Sequence, residues 1–287
     1  MRVTVVGSRG MAGHAIVKYL NQQGHTVTAV DRSVLDIEKG NVDHFFETVN
    51  ADFVVNAIGL LVKDCGDRPD RAITINSWWP NYCAYKLKDT ATRLIHLSTD
   101  CVFDGQRGNY FEADAHTETN TYGRSKSFGE INNAKDITFR MSIIGPELKN
   151  GTGLLNWVLT NSDHELPGWN NAWWNGVTTL QLAKCIDQYI NSPLITGVYH
   201  LVNNDVQINK YDLLCKINDV YQLGKKIVST VGPKTINKIL VDTRSEIDFG
   251  IPDYHTQLTE LRDFNPITHV RPATTRSEIF KTPMALG

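Results

Sequence analysis

Apolar residues recur along the first half of the chain in two alternating rhythms. Val3-Thr4-Val5-Val6 is a short apolar run, the pattern of a buried strand. Residues 11–23 carry Ile16, Val17 and Leu20 at helical spacing, with Gly24 as a stop. Strand-like 26–30 then closes on Asp31-Arg32, 42–49 is helical, and strand-like 53–55 ends in Asn56-Ala57-Ile58-Gly59. The pattern goes on to predict a long helix over 73–87, a strand over 94–97, a helix over 122–132 and a strand over 137–141. Strict alternation with apolar strands predicts an α/β fold, a Rossmann-like doubly wound parallel sheet with helices on both faces.

Beyond about residue 142 the rhythm loosens. Helices are expected over 154–160, 179–190 and 211–221, and a strand over 198–202. Trp157, Trp169, Trp173 and Trp174 cluster among glycines and asparagines. The expected division is a dinucleotide-binding domain over 1–145 and a smaller C-terminal substrate lobe over 146–287, with some chain crossing back to the sheet. Such a lobe would close over the carboxyl edge of the strands, where open α/β sheets bind ligands. Gly168, Asn170, Asn171, Asn175 and Gly176 suggest a mobile loop there, with Trp173 against the substrate.

Composition narrows the partners. A formal net charge of -2 gives no electrostatic case for nucleic acid or for an anionic membrane surface. No apolar run approaches the roughly 20 residues of a membrane span. No basic segment followed by an apolar core precedes the first strand. Five cysteines, an odd number without a Cys-x-x-Cys pair, argue against a disulfide framework or a zinc site. A reduced, cytoplasmic protein is therefore expected. The histidines show no metal-ligand spacing, so no metal is expected either.

The chemistry-bearing residues fall where such a sheet would use them. Gly7, Gly10 and Gly13 follow a strand and open a helix, with Arg9 and Met11 between them. A tight turn of this kind lets backbone approach a pyrophosphate at a helix N-terminus. Asp31 ends the second strand, where a carboxylate accepts bonds from the adenosine ribose. Arg32 beside it, together with Arg9, could instead pair with a 2′-phosphate. Two guanidiniums against one carboxylate favour NADPH, with NADH as the alternative. Asp36-Ile37 and Ala57-Ile58-Gly59 are placed to line the adenine and the middle of the cofactor.

Ketone reduction needs a hydride at carbon and a proton at oxygen. Tyr122 and Lys126, four apart, share one helix face. Tyrosine has an ordinary pKa of about 10, and a nearby ammonium would favour the phenolate. Lys126 would also grip the nicotinamide ribose. Thr99, at the end of a strand, would hold the substrate oxygen near the hydride.

Leu97-Ser98-Thr99-Asp100-Cys101-Val102-Phe103-Asp104-Gly105, then Tyr122-Gly123-Arg124-Ser125-Lys126 and Gly129-Glu130, resemble the dTDP-4-dehydrorhamnose reductase family. These are extended short-chain reductases acting on nucleotide-linked 4-keto sugars. The resemblance spans roughly the whole chain and is most specific before residue 145. It implies Thr99, Tyr122 and Lys126 as the catalytic set, Thr99-Asp100 touching the sugar, Cys101 beside it, and a nucleotide-linked keto sugar as substrate. Homodimerisation through paired helices is left open. Two departures bear on the sugar. Cys101 stands where the family usually has Tyr, and Arg140-Met141-Ser142-Ile143 where it usually has Arg-Thr-Ser-Trp.

Cys101 supports an alternative. The Gly-x-Arg-Gly-Met-x-Gly turn and a cysteine two residues past the catalytic hydroxyl also resemble GDP-fucose synthase, an epimerase and reductase in which that cysteine shuttles protons. That resemblance calls for a histidine partner, and 145–158 contains none; His164 is the nearest. A dehydratase would carry Asp-Glu after the threonine, which Asp100-Cys101 does not match. A cofactor-binding regulatory subunit would have no need of Thr99, Tyr122 and Lys126 together.

Overall fold

A computed structural model describes residues 1–265 apart from 149–150, 152, 193–194 and 245. Residues 266–287 of the expected lobe lie outside the described residues. Six strands form one parallel sheet: β1 (Arg2–Val6), β2 (Thr26–Val30), β3 (Phe53–Asn56), β4 (Arg93–Thr99), β5 (Ile137–Met141) and a late strand, Gly197–His200. Their spatial order is Gly197–His200, β5, β4, β3, β1, β2. The chain runs from β1 outward to β2, then crosses back to β3 on the other side. The crevice beyond the carboxyl ends of β1 and β3 is thus the switch point of the fold.

Apolar strands exposed on neither face need cover on both. On one side Met11–Gln22 and Thr179–Asn191 pack on Val3, Val5, Phe53, Ile95, Ile137 and Phe139. On the other, Trp79, Cys83 and Leu87 of helix Trp79–Leu87 meet Val6, Val54 and Leu94. A separate apolar cluster from Leu154 to Leu261 forms the interior of the lobe, where Trp174 stacks on Tyr254 at 5.3 Å.

Three local expectations change. The long helix over 73–87 is interrupted: Pro69–Ala72 and Trp79–Leu87 flank a π-helical turn, Ile73–Trp78. Single π turns often mark functional sites, and this one turns Asn76 inward. The helix expected to reach 132 stops at Phe128. Gly129 caps it because a Cβ there would overlap the Asn76 carbonyl, and Glu130 leaves toward the sheet instead. The tryptophan segment is not a loop. Glu165–Trp169 pairs with Lys226–Thr230, and Ala172–Trp174 pairs with Ile208–Asn209 and Ile236–Asn237. Asn171 and Asn175 bond the backbone of Gly232 and Leu240, so the asparagines lock strands together.

Candidate active site

The glycine turn is built around its own backbone. Gly7 has φ +86°, the left-handed region that favours glycine, and a Cβ there would lie 2.9 Å from the Ala57 carbonyl. A Cβ on Gly13 would overlap the Gly7 carbonyl, so this glycine lets the helix from Met11 begin directly against the turn. A Gly10 side chain would meet Gly7 O at 3.3 Å. Gly7 N and Ser8 N both bond Val30 O at 2.9 and 3.1 Å. The end of β1, the end of β2 and Ala57-Ile58-Gly59 thereby line one crevice at a helix N-terminus, which fits a dinucleotide pyrophosphate. The lobe reaches it too, since a Cβ on Gly153 would lie 2.9 Å from Met11 Cε.

At the rim, Asp31 accepts from Ser33 N at 2.9 Å and Ser33 Oγ at 2.5 Å, and Arg9 Nη1 reaches it at 3.3 Å. Those hydroxyl and amide bonds, helped by Arg9 and against the opposing effect of burial, leave its carboxyl below the usual range. Arg32 turns to Asp36 at 3.1 Å and Glu38 at 3.0 Å, and Glu38 also takes a two-pronged bond from Arg71. Asp36 is occupied by its own turn, accepting Glu38 N at 3.0 Å, while Ile37 packs against the Trp79 cluster. Both Arg9 and Arg32 are largely exposed, 64% at the side chain, and free to turn toward an anion.

The expected reacting residues converge at the end of β4. Thr99 caps a short 3-10 turn, Asp100–Val102, accepting Cys101 N at 3.1 Å and donating to Asp100 Oδ1 at 3.2 Å. Helix Thr121–Phe128, capped by Asn120 accepting Gly123 N at 2.8 Å, lies across that turn. Gly123 makes the approach feasible, because a Cβ there would run into the Cys101 carbonyl and Glu118. Tyr122 consequently packs with Cys65, Ala72 and Cys101, with the Thr99 hydroxyl near enough to act on its phenol. Burial pushes the phenol well up, Cys101 adds to this, and the Thr99 hydroxyl opposes it.

Lys126, buried to 4% exposure, donates to Leu97 O at 2.7 Å. Burial lowers its pKa to about 8 against the pull of Glu130. The expected ammonium–phenol influence therefore gives way here to burial as the dominant effect on Tyr122, and the ammonium is spent on the backbone of β4. A buried network stands behind it. Glu130 accepts Ser98 Oγ at 2.6 Å and both Arg140 Nε and Nη2, at 2.8 and 2.5 Å.

Several contributors were invisible in the sequence pattern. Asn76, carried inward by the π turn, joins Leu60 N at 2.8 Å, Leu60 O at 3.1 Å and Ser125 Oγ at 3.1 Å. It ties the loop after β3 to the Tyr122 helix. From the lobe come Lys210 and Lys238. Lys238 Nζ lies 3.1 Å from Cys101 Sγ and 3.9 Å from Glu118; Lys210 Nζ sits 4.9 Å over the Trp169 ring. His164 is exposed and away from this cluster, its carbonyl accepting Lys226 N. Trp173 is 38% exposed, whereas Trp174 is buried in the lobe.

Relatives of known description carry the same arrangement of chain. A 27% identity over 245 residues links it to the spore coat polysaccharide biosynthesis protein SpsK of Bacillus subtilis (strain 168), covering 83% of this chain and 85% of that one. A dTDP-4-dehydrorhamnose reductase of Mycolicibacterium smegmatis is 34% identical over 132 residues, 45% of this chain and 40% of its own length. The dTDP-4-dehydrorhamnose reductase of Bacillus anthracis, solved in complex with NADP, superposes with a TM-score of 0.77 at 19% identity, over 91% of this chain and 98% of that one. The family model described as RmlD substrate binding domain matches residues 1–240, and the chain belongs to that family.

Proposed function

We propose that this protein is an NADPH-dependent reductase of a 4-keto group on a nucleotide-linked deoxysugar, of the dTDP-4-dehydrorhamnose type. The observation that carries the reading is the convergence of the buried Tyr122 phenol with the Thr99–Cys101 turn at the sheet's carboxyl edge beside the glycine turn, with Lys126 one helical turn on. The Mycolicibacterium smegmatis and Bacillus anthracis relatives, both described as reductases of dTDP-4-dehydrorhamnose, support it, and the NADP in the latter supports the cofactor. Gly7, Gly10, Met11 and Gly13 would take the pyrophosphate, Ala57-Ile58-Gly59 the middle of the cofactor, and Asp36-Ile37 the adenine. Asp31 would hold the adenosine ribose, with Arg9 and Arg32 leaving their carboxylates for the 2′-phosphate.

When bound, the nicotinamide supplies the hydride. Tyr122 gives its proton to the ketone oxygen as that oxygen gains charge, because an alkoxide is a far stronger base than a phenolate. A phenol whose pKa is raised stays fully protonated through neutral pH, the state a reductase needs before turnover. Thr99, turning its hydrogen from Asp100 to the same oxygen, holds the carbonyl in line. Lys126 grips the nicotinamide ribose while its Leu97 bond fixes its position. Asp100, Cys101 and Trp173 would touch the sugar.

A pH profile follows from Lys126. Its ammonium is present below about 8 and lost as pH rises through that value, while Tyr122 remains protonated. In the free enzyme, kcat/KM for NADPH is expected to stay level at neutral pH and fall above about 8, a limb absent in Lys126→Met. A level profile to pH 9.5 in the unmodified enzyme would contradict the assignment.

One observation favours a second reading. Cys101 Sγ and Lys238 Nζ in contact give the cysteine a partner that 145–158 lacks, so epimerisation beside the ketone could accompany reduction. Burial, then Asp100, pushes the thiol up to about 12, which weighs against a ready thiolate and leaves plain reduction ahead. The test is absorbance of NADPH mixed with dTDP- and UDP-linked 4-keto sugars in deuterated water. Oxidation with no solvent deuterium on the ring carbons supports reduction alone, and deuterium uptake supports the second reading. Binding of NADPH without oxidation by any of these sugars would overturn both, in favour of a regulatory subunit.

A further inference from the structure

Guanidiniums and carboxylates interleave along the rim where the adenosine end of the cofactor would lie. Arg9 reaches Asp31, Arg32 reaches Asp36 and Glu38, and Arg71 reaches Glu38 from helix Pro69–Ala72. Glu38 meets two of these cations and holds them unequally. Arg71 makes a fork on it, Nε to Oε1 at 2.6 Å and Nη2 to Oε2 at 2.8 Å. Arg32 contacts it at 3.0 Å, on the Oε2 that Arg71 already occupies. The Arg71 bond is the foremost cause that keeps the Glu38 carboxyl below its usual range, and Arg32 contributes after it.

Exposure follows the same order. The Arg71 and Glu38 side chains are 27% and 20% exposed, that of Arg32 64%. A two-pronged, partly buried pair keeps its geometry, while an exposed single contact is weak and exchanges readily. Arg32 is thus the cation able to leave, and Arg71 the one that stays. When Arg32 leaves, Glu38 keeps both bonds from Arg71, and Asp36 keeps the Glu38 amide at 3.0 Å. Neither carboxylate is stranded.

We infer that Glu38, held by Arg71, sets how strongly this protein prefers a dinucleotide with a 2′-phosphate, by competing with that phosphate for Arg32. The inference deepens the cofactor reading and rests on it for the position of the adenosine. A 2′-phosphate must draw Arg32 off Glu38, whereas the neutral 2′-hydroxyl of NADH leaves it there. Arg71 neutralises Glu38 and so loosens its hold on Arg32. Glu38 therefore works against NADPH and Arg71 works for it. Both are positioning residues, acting through Arg32 and not on the cofactor.

Equilibrium titration of the purified protein with NADPH and with NADH, read by fluorescence, tests the competition. Glu38→Gln is expected to lower Kd for NADPH about threefold to fivefold, the scale of an exposed ion pair, and to leave Kd for NADH in place. Arg71→Met is expected to raise Kd for NADPH by about the same factor, again without moving NADH. Combined variants read the route. The gain from Glu38→Gln disappears in an Arg32→Met background, and most of the loss from Arg71→Met disappears in a Glu38→Gln background. A gain that survives without Arg32 would mean plain repulsion of the phosphate and would overturn the competition. Equal shifts for NADPH and NADH, or no shift in either single variant, would overturn it as well. An undiminished Arg71→Met loss in the Glu38→Gln background would put Arg71 on the phosphate itself, against the role assigned to it. Failure of the unmodified protein to bind either dinucleotide would overturn the cofactor reading, and the inference with it.

Discussion

Tyr122→Phe is expected to lower kcat for keto-sugar reduction by about 10²–10⁴-fold, the usual contribution of a positioned general acid. The substitution removes one oxygen and keeps the ring that packs among Cys65, Ala72 and Cys101. NADPH affinity and thermal stability should therefore change little, and the loss should fall on kcat with KM near its original value. Thr99 keeps its bonds to Cys101 N and Asp100, so the residual rate reports positioning and hydride delivery without the proton. Steady-state kinetics with matched NADPH titrations separates these terms. A kcat within tenfold of the unmodified enzyme would mean the proton comes from elsewhere.

Arg140→Met should cost about 3–5 kcal/mol of stability, the loss seen when one partner of a buried ion pair is removed. Arg140 is 1% exposed and holds Glu130 by two bonds, His200 Nε2 at 2.8 Å and His116 Nε2 at 2.9 Å. Both imidazoles are pushed down, foremost by burial, His200 to about 4, so each meets the guanidinium as a neutral acceptor. Without the guanidinium, Glu130 is a buried carboxylate left with the Ser98 Oγ bond and, 3.4 Å away, the His116 ring, whose pKa burial lowers. For a chain of this size the melting temperature should fall by about 10 °C. Glu130→Gln added to Arg140→Met should recover part of it, because an amide is less costly to bury than an unpaired charge. A melting temperature within about 2 °C of the unmodified protein would show the pair to be idle. Since Ser98 directly precedes Thr99, the single variant should also lower kcat.

The parts readable in the sequence are those fixed by short-range spacing. Gly7, Gly10 and Gly13 sit within one strand-turn-helix, and Tyr122 and Lys126 within one helical turn, so periodicity alone places them on common faces. Five of the six sheet strands followed from apolar runs that recur because both faces are covered; the sixth, Gly197–His200, lies in the half read as the lobe. What escaped depends on contacts between distant segments. Asn76 became inward only because the helix takes a π turn, and no residue type announces that. Lys238 reaches Cys101 across more than a hundred residues of chain, through pairing of Ala172–Trp174 with the later strand Ile236–Asn237. The asparagine-rich tryptophan segment read as a loop because Asn and Gly favour turns. Here the same amides instead satisfy neighbouring strands, and Gly176 gives room to the Trp174 ring. The helix over Tyr122 ended early for a tertiary reason as well, the close approach of Gly129 to Asn76.

The most direct test of the account follows the hydride itself. NADPH carrying deuterium at the nicotinamide C4 position that is transferred, incubated with a nucleotide-linked 4-keto deoxysugar, should leave one deuterium on the sugar carbon that bore the ketone for each NADPH oxidised. Mass spectrometry of the product reads this. Deuterium found at another carbon, or NADPH consumed with no label in the sugar, would contradict the account.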